Sequence, residues 1–215
     1  MRVSLHLLAW RERWSLVAVS DLLAERRPHR VDAARNFDAI LAAGRRAFAA
    51  GGTDVSLDEI ARQAGVGVAT LYRNFPSRED LVEAVYVTEV DELCRYGARL
   101  ARRGDPWDSL ISWLRRFVGY LGTKRILLDA LDRESGAFRA CRDALYTTGE
   151  PLLARAQQAG RARAEVTIDD VLRFFLGVTS APVRSRRQRD RFLSMAIAGL
   201  AALPPPGAGR PDRAV

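Results

Sequence analysis

One short stretch of the chain, residues 67 to 78, combines several side chains that suit the binding of a polyanion. Two hydroxyls, an amide and two guanidinium groups can bind phosphate oxygens or base edges, and small residues before them let a helix approach a duplex closely. The stretch from 62 to 78 holds three arginines and no acid. The residues of interest are Gly67, Val68, Ala69, Thr70, Tyr72, Arg73, Asn74 and Arg78.

Catalytic and metal-binding side chains are scarce in the rest of the chain. Both histidines, His6 and His29, lie near the N-terminus, so residues 30 to 215 contain no imidazole for a triad, a proton shuttle or a metal site. Cys94 and Cys141 are too few and too far apart for a disulfide scaffold or a Cys-type zinc site, and they suit a reducing cytoplasm. We therefore expect no enzymatic activity, no metal and no cofactor.

Length and composition indicate a folded, basic protein. The 215 residues are 48% hydrophobic and 28% charged, which supports one or two compact domains. Basic residues number 34 against 26 acids, a formal net charge of +8 that favours polyanionic partners. No apolar run reaches the roughly 18 to 20 residues that span a bilayer, so neither a signal peptide nor a membrane anchor is expected and the location should be cytoplasmic.

Helical signals surround the polyanion-binding stretch. Apolar residues at helical spacing predict a first helix over about 32–50. Ser56 and Glu59 have the spacing of a capping box, which starts a second helix. Gly65 suits a left-handed turn, after which a third, short helix resumes at about Gly67. The pattern predicts two short helices joined by a tight turn and braced by a longer one.

The remaining chain is also predicted to be helical. Pro76 ends the short helix, and Ser77 with Asp80 can cap a long fourth one. No sustained alternation typical of a strand occurs, and Pro, Gly and Arg after residue 203 predict a disordered tail. The expected fold is therefore all-α. The further helices are expected at about 78–103, 107–121, 124–134, 137–163 with a kink or break at Pro151, 167–180 and 188–202.

Residues 56 to 81 resemble the N-terminal domain of the tetracycline-repressor (TetR) family of regulators. The similarity includes the turn Ala64-Gly65-Val66, the segment Thr70-Leu71-Tyr72 and the helix entry Phe75-Pro76-Ser77-Arg78-Glu79. It extends over about residues 32 to 85. The resemblance implies a three-helix helix-turn-helix domain followed by a helical ligand-binding and dimerisation domain.

The resemblance also implies a function and a set of DNA contacts. The family's members are homodimers that block transcription from a double-stranded DNA operator and let go when a small-molecule effector enters a pocket. By this resemblance, Val68, Ala69 and Thr70 match positions that face bases, whereas Tyr72 and Arg78 match positions that meet phosphates.

Four further residues complete the expected DNA-binding set. Ser56 and Gly67 match contacts at helix starts, and Arg73 and Asn74 lie beside Tyr72 on the second short helix. Asn74 stands where histidine is common in the family, and Gly67 stands where serine is common.

The domain boundaries follow from these elements. An N-terminal extension or arm is expected at 1–31, the helix-turn-helix domain at 32–77, the ligand-binding and dimerisation domain at 78–203 and a disordered tail at 204–215. The extension has three interpretations: an amphipathic helix over residues 5–10 and 14–19, a basic arm at Arg26-Arg27-Pro28-His29-Arg30 able to enter a minor groove, or translation from an upstream start that the cell does not use.

Two groups of apolar residues are assigned to the second domain's functions. Aromatic side chains at helical spacing can line a ligand pocket, although they more often form plain core. The expected ligand-binding residues are Trp113, Phe117, Tyr120 and Cys141. Two apolar stripes are expected to form a four-helix dimer interface, unless they cover their own domain's core. Their members are Val171, Phe174, Phe175 and Val178, and then Phe192, Met195, Ala196, Gly199 and Leu200.

Two other functions remain open on the sequence alone. The chain could be an all-α small-molecule-binding or catalytic protein in which the helix-turn-helix is only a packing unit. It could also bind DNA as an activator or an architectural protein. The sequence specifies neither the effector nor the operator.

Overall fold

The computed structural model describes residues 19–102, 104–127, 131–132 and 134–202. Within these ranges the chain forms nine helices, and one isolated antiparallel bridge joins Ala162 to Ala201. The all-α prediction is confirmed. No helix in the described ranges combines the length and apolar character needed to cross a bilayer. The first 18 residues of the extension and the predicted tail lie outside the described residues.

The nine helices follow one another with short connections. Their bounds are α1 Val19–Arg26, α2 Val31–Gly51, α3 Leu57–Ala64, α4 Val68–Asn74, α5 Arg78–Leu100, α6 Pro106–Leu127, α7 Gly136–Gln158, α8 Ile168–Ser180 and α9 Arg186–Leu200.

Helices α2, α3 and α4 pack into one small unit. Ile40, Ile60 and Leu71, one from each helix, are fully buried, and the rings of Phe37 and Phe75 stack with centroids 4.9 Å apart. The turn between α3 and α4 depends on Gly65, whose φ of 70° lies in the left-handed region that side chains with a Cβ avoid. The predicted turn is confirmed.

The capping box predicted at the start of α3 is wrong. The Ser56 hydroxyl accepts a hydrogen bond from the Asp58 N–H at 3.2 Å, but the Glu59 carboxylate does not reach back to Ser56. It accepts instead from the Arg62 guanidinium at 2.7 and 2.8 Å. A bidentate, charge-assisted pair is stronger than one bond to a backbone N–H, so the arginine one turn ahead takes the carboxylate.

The capping box predicted for the long helix is confirmed. The Ser77 Oγ accepts from the Asp80 N–H, and the Asp80 carboxylate accepts from the Ser77 N–H, both at 3.1 Å. The helix that starts here, α5, runs for 23 residues and packs against α6 and α7. It therefore connects the small N-terminal unit to the second half of the molecule.

Cross-helix contacts fix which levels of α5, α6 and α7 lie side by side. The Tyr120 hydroxyl donates to the Tyr86 hydroxyl at 3.1 Å, and one level further along α5 the Trp113 indole N–H donates to the Leu93 carbonyl at 3.3 Å. Gly149 permits a close approach at this second level. A Cβ placed there would lie 2.6 Å from Ile168 Cδ1 and would overlap it.

The separate helix predicted at about 124–134 is wrong. Helix α6 runs without interruption to Leu127, and residues 131 and 132 are not helical. Gly122 does not break the helix, because a single glycine keeps its backbone N–H and destabilises a helix much less than a proline does. Helix α7 ends at Gln158, five residues earlier than predicted, because Gly160 turns the chain with a φ of 66°. Pro151 lies inside α7 and does not end it.

The described part of the N-terminal extension is a docked helix. Val19 is buried, and α1 packs against α5 and α7. Arg26 donates to Glu83 on α5 at 2.6 Å, and Arg27 donates to both carboxylate oxygens of Asp38 on α2, at 2.9 and 2.6 Å. Two of the three arginines of the predicted basic arm are thus paired within the molecule. The amphipathic helix was predicted over residues 5–19, which except for Val19 lie outside the described residues, so that interpretation of the extension stays a prediction.

Candidate nucleic-acid interface

Helix α4 divides into a buried and an exposed face. Leu71 and Phe75 point into the three-helix unit and are at most 1% exposed. Val68 and Tyr72, four residues apart and therefore on one side of the helix, are 39% and 46% exposed. Ala69 beside them is also exposed. The helix presents a small apolar surface with a phenol, and no acid of α4 interrupts it.

Thr70 is the centre of a short hydrogen-bonded group on α4. Its hydroxyl accepts from Arg73 Nη2 at 2.8 Å, and its carbonyl accepts from Asn74 Nδ2 at 2.7 Å. The Asn74 amide therefore satisfies a carbonyl of the helix's last turn, and Arg73 is held along the helix surface. The Thr70 hydroxyl proton remains available to an acceptor outside the chain.

The start of α4 is open on its outer side. Gly67 precedes the helix with an ordinary φ of −70° and makes no side-chain cap. A Cβ added there would meet no atom within 4 Å. The glycine is thus not required by the backbone, and the N–H groups of the first turn remain approachable. Ser56, at the start of α3, is exposed as well.

Arg78 has a contact inside the protein that sequence reasoning missed. Its Nη1 donates to the carbonyls of Thr53 and Val55, the latter at 2.6 Å. These carbonyls belong to the connection between α2 and α3, so the guanidinium anchors α3 to the start of α5. The Nε and Nη2 groups can still donate to a phosphate. The phosphate role of Arg78 stays a prediction.

The charge next to this surface is partly neutralised. Hydrogen bonds from Arg62 and Gln63 lower the pKa of Glu59 to about 2, so the carboxylate stays ionised and holds the Arg62 guanidinium. Arg62 therefore carries little free positive charge.

The four predicted ligand-binding residues meet in the core of the second half. Trp113 and Cys141 are fully buried, and Phe117 and Tyr120 are each 4% exposed. The rings of Trp113 and Phe117 stack at 5.8 Å, and Phe117 is 5.9 Å from Tyr120. Burial raises the pKa of the Cys141 thiol, which makes it unreactive at neutral pH. Trp113, Phe117 and Tyr120 form one aromatic cluster. The role of these residues and of Cys141 in ligand binding stays a prediction.

Of these four side chains, Tyr120 reaches a cleft of about 380 Å³ between α2, α5 and α6. Arg45 on α2 pairs there with Glu89 and, at 3.0 Å, with Glu92 on α5, and Arg116 on α6 pairs with Glu92 at 3.3 Å. Burial raises the pKa of Glu89. This ionic network, which the sequence did not reveal, connects the small N-terminal unit to the second half beside the aromatic cluster.

The predicted dimer stripes are divided between the inside and the outside of the chain. Val171 and Phe175 are at most 3% exposed and belong to the chain's own core. Phe174 and Met195 are 53% and 70% exposed, and Gly199 is exposed too. Leu176, which the stripes omitted, is 46% exposed. Phe175 offers no surface to a second copy, because its ring is fully buried within the chain; the dimer interface itself stays a prediction.

Other members of the stripes take intermediate places. Val178 and Phe192 are partly buried where α8 and α9 meet α6. Ala196 and Leu200 are buried. The described residues hold no group of three or more histidine, cysteine, aspartate or glutamate side chains arranged for a metal ion.

Two family models match this chain. Residues 40–85 match the model for bacterial regulatory proteins of the tetR family. Residues 105–202 match the model for the C-terminal domain of SbtR-like transcriptional regulators. The first match includes α3 and α4, and the second includes α6 to α9. No curated protein matches the sequence significantly.

Solved structures agree with the family models. A TetR transcriptional regulator of Streptomyces coelicolor is 35% identical with a TM-score of 0.68, over 78% of this chain and 99% of that one. A TetR regulatory protein of Mycobacterium vanbaalenii is 33% identical with a TM-score of 0.66, over 81% and 100% of the two chains. A ketosteroid transcriptional regulator of Mycobacterium tuberculosis, 15% identical over 78% and 95% with a TM-score of 0.51, shares the fold alone.

Proposed function

The chain belongs to the TetR family of transcriptional regulators, and on that basis we propose that it is a homodimeric repressor that leaves its operator when a small molecule binds. The observation that carries the DNA-binding part is the outer face of α4, where Val68, Ala69 and Tyr72 are exposed on a rigid three-helix unit. A recognition helix needs such a surface in order to enter a major groove. Action on DNA in a bacterium also supports a cytoplasmic location.

The contacts of α4 divide into two roles in this proposal. Tyr72 holds a phosphate through its hydroxyl, whereas Val68, Ala69 and Thr70 read base edges. Arg73 and Asn74 stabilise the helix through Thr70 in the free protein, and Arg73 turns to the backbone when DNA is bound. Ser56 and the N–H groups after Gly67 hold phosphates at the two helix starts.

Removing the Tyr72 hydroxyl should weaken binding to every DNA sequence. We expect Tyr72→Phe to lower affinity about 5- to 10-fold for operator and random duplex alike, because phosphate contacts carry no sequence information. Val68→Ala, which removes an exposed apolar group, should instead change the ratio between operator variants. Titration of both proteins on the operator and on single-base variants measures the two effects.

The division of roles depends on a difference between these variants. If Tyr72→Phe and Val68→Ala reduce binding by the same factor on every sequence, α4 does not read bases through Val68. Phenylalanine keeps the ring in place, so a loss in Tyr72→Phe cannot come from lost packing.

The release mechanism rests on α5 and its neighbours. Arg78 in its capped first turn bonds to the connection before α3, and the Leu93 carbonyl further along accepts a hydrogen bond from Trp113 of the aromatic cluster. A ligand that enters at Tyr120 would also meet the ion pairs of Arg45 with Glu89 and Glu92. A ligand that displaces side chains of the aromatic cluster thereby shifts α2. This shift changes the spacing of the two recognition helices in the dimer.

An effector should weaken operator binding, and operator should weaken effector binding by the same factor. Such couplings are typically about 1 to 3 kcal/mol, or about 5- to 150-fold. A compound found by thermal-shift screening provides the ligand, and fluorescence titrations with and without operator measure both factors. Unequal factors, or a ligand that binds without changing operator affinity, would refute coupling between the two sites.

The basic test of the function is a gel shift with DNA from the gene's own upstream region. The proposal expects a retarded complex that survives excess random duplex. Expression of the neighbouring genes should then rise when this gene is deleted. If expression falls, the protein is an activator; if no DNA is bound, the helix-turn-helix is a packing unit in a protein of another function.

A further inference from the structure

Five arginines lie between the end of α8 and the second turn of α9. They share this eight-residue segment with a single acid, Asp190. All five side chains are exposed, and none forms an ion pair with an acid of the described residues. The members of this arginine cluster are Arg184, Arg186, Arg187, Arg189 and Arg191.

Many other arginines of the described surface are neutralised by a carboxylate. Arg27 pairs with Asp38, and Arg62 with Glu59. The arginine cluster is therefore a concentration of free positive charge, and the fields of its members add to a strongly positive local potential. A surface of this kind costs stability unless an anionic partner covers it.

The direction of α8 shows toward which end of the molecule the cluster lies. Helix α5 starts at Arg78, next to the connection before α3, and ends at Leu100. We call the end of the helix bundle near Leu100 the distal end. Ile168, the first residue of α8, and Trp113 both border Gly149, and Trp113 lies at the level of Leu93, to which it bonds. Helix α8 thus begins in the distal half of the bundle.

The end of α9 is also distal. Arg163 donates to the Gly199 carbonyl at 2.8 Å, and its neighbour Arg161 lies 3.8 Å from Asp105, which follows α5. Since α8 and α9 are joined by a short connection, the connection between them must lie at the opposite end. That end faces the helix-turn-helix unit.

A groove of about 480 Å³ shows at which level of the helix bundle the arginine cluster lies. It is lined by Val118 and Leu121 on α6, Val178 on α8, and Arg189 and Phe192 on α9. These α6 residues flank Tyr120, which bonds to Tyr86 in the half of α5 nearer to the DNA-binding unit.

The first residues of α9 extend further in the same direction. Arg186 precedes Phe192 by six residues, or about 9 Å of helix, and Tyr86 follows Arg78 by eight residues, or about 12 Å. Arg186 and Arg187 therefore reach toward the level at which α5 begins, beside the helix-turn-helix unit.

We propose that the arginine cluster, residues 184–191, binds the phosphate backbone of the operator between its two half-sites. The inference rests on the proposed function, because it assumes an operator and a dimer built on α8 and α9. In such a dimer both clusters lie near the two-fold axis, which passes through the operator's centre. The ligand-binding and dimerisation domain then contacts DNA directly, in addition to the helix-turn-helix units.

Charge favours this partner over a second protein copy. The cluster of one subunit repels the identical cluster of the other across the two-fold axis. A phosphate backbone carries one negative charge per about 1.7 Å of duplex and neutralises both clusters at once. The contacts carry no base readout, so they should strengthen binding and its salt dependence without changing sequence preference.

The test compares two double variants with equal loss of charge. Arg186→Gln with Arg187→Gln removes the two most DNA-facing members of the cluster. Arg102→Gln with Arg115→Gln removes two exposed arginines that pair with no described acid and lie after α5 and on α6. Affinity is measured against salt for each protein on the selected operator, and sedimentation confirms that each remains a dimer.

The cluster variant should lower the slope of log affinity against log salt by about 2 to 4 units per dimer, from up to four lost phosphate contacts. The control variant should leave the slope within about 0.5 units of the wild type. Equal slopes for the cluster variant and the wild type would overturn the inference, as would an equal fall in both variants, which would show an effect of net charge alone.

A change in the DNA tests the same contact with unaltered protein. Neutral methylphosphonates in place of the phosphates between the half-sites should reduce wild-type affinity about 5- to 10-fold, whereas the same change outside the half-sites should have little effect. Undiminished wild-type affinity for the centrally modified DNA would refute the contact. If the wild type selects no operator at all, the proposed function fails instead, and the two failures are distinct.

Discussion

Replacing Phe174 and Met195 together by aspartate should give a folded monomer that has lost operator binding. Both side chains are more than half exposed on adjacent helices, so the charges do not enter the core but prevent two copies from packing. Linked binding of two half-sites contributes about 10²- to 10⁴-fold to affinity, and a monomer loses this contribution. Analytical ultracentrifugation and operator titration should show monomer and a fall of at least about 100-fold.

The matched comparison is Phe175→Asp on the same helix. This ring is fully buried, and loss of a buried phenylalanine ring alone costs about 3 to 5 kcal/mol. Phe175→Asp should therefore unfold the protein, whereas the exposed double variant keeps its helical circular dichroism. If the exposed double variant remains a dimer with wild-type operator affinity, α8 and α9 do not form the interface.

Arg78→Ala should weaken binding to any DNA sequence by about 10- to 100-fold. The substitution removes a phosphate contact in the proposed complex and also frees the carbonyls of Thr53 and Val55, which anchor the connection before α3. Operator and random duplex should lose affinity alike. The slope of log affinity against log salt should fall by about 1 to 2 units per dimer.

The salt dependence separates the two roles of Arg78. A loss of affinity with an unchanged slope would assign the whole effect to the anchored connection and remove Arg78 from the DNA contact. Arg102→Ala removes an exposed charge after the distal end of α5 and serves as the control. It should change neither affinity nor slope appreciably.

Local sequence signals were sufficient to predict the structure of the small N-terminal unit. Gly65 at a position that requires a left-handed residue, and Ser77 with Asp80 at capping distance, each determine one geometry through neighbours within a few residues. The apolar spacing around Leu71 and Phe75 likewise determines which face of α4 is buried. These features depend on interactions between residues that are close in sequence, so they can be predicted from the sequence alone.

Features that depend on distant residues were not predictable in the same way. Glu59 has two possible partners, Ser56 and Arg62, and the choice between them follows from side-chain geometry. Val171, Phe174 and Phe175 fall within one sequence stripe, yet the packing of α8 on other helices decides which of them face inward. The spacing of apolar residues predicts that one face of a helix is buried, but it does not predict which part of the protein covers that face.

Charge pairs across helices form the largest group of unpredicted features. Arg27 with Asp38 and Arg45 with Glu92 join residues 11 and 47 positions apart, and no local pattern relates them. The arginine cluster at 184–191 was visible in the sequence as a basic run. Only the directions of α8 and α9 showed that this segment extends toward the end of the bundle at which α5 begins.

Selection of bound sequences from a random DNA pool tests the central claim most directly. A single recognition helix reads few base pairs, so a symmetric dimer should select an inverted repeat whose half-sites are about 34 to 36 Å apart, one turn of the duplex. The Tyr72→Phe protein should select the same repeat more weakly. Enrichment of a lone half-site, or no enrichment over the starting pool, would contradict a dimeric regulator that reads DNA through α4.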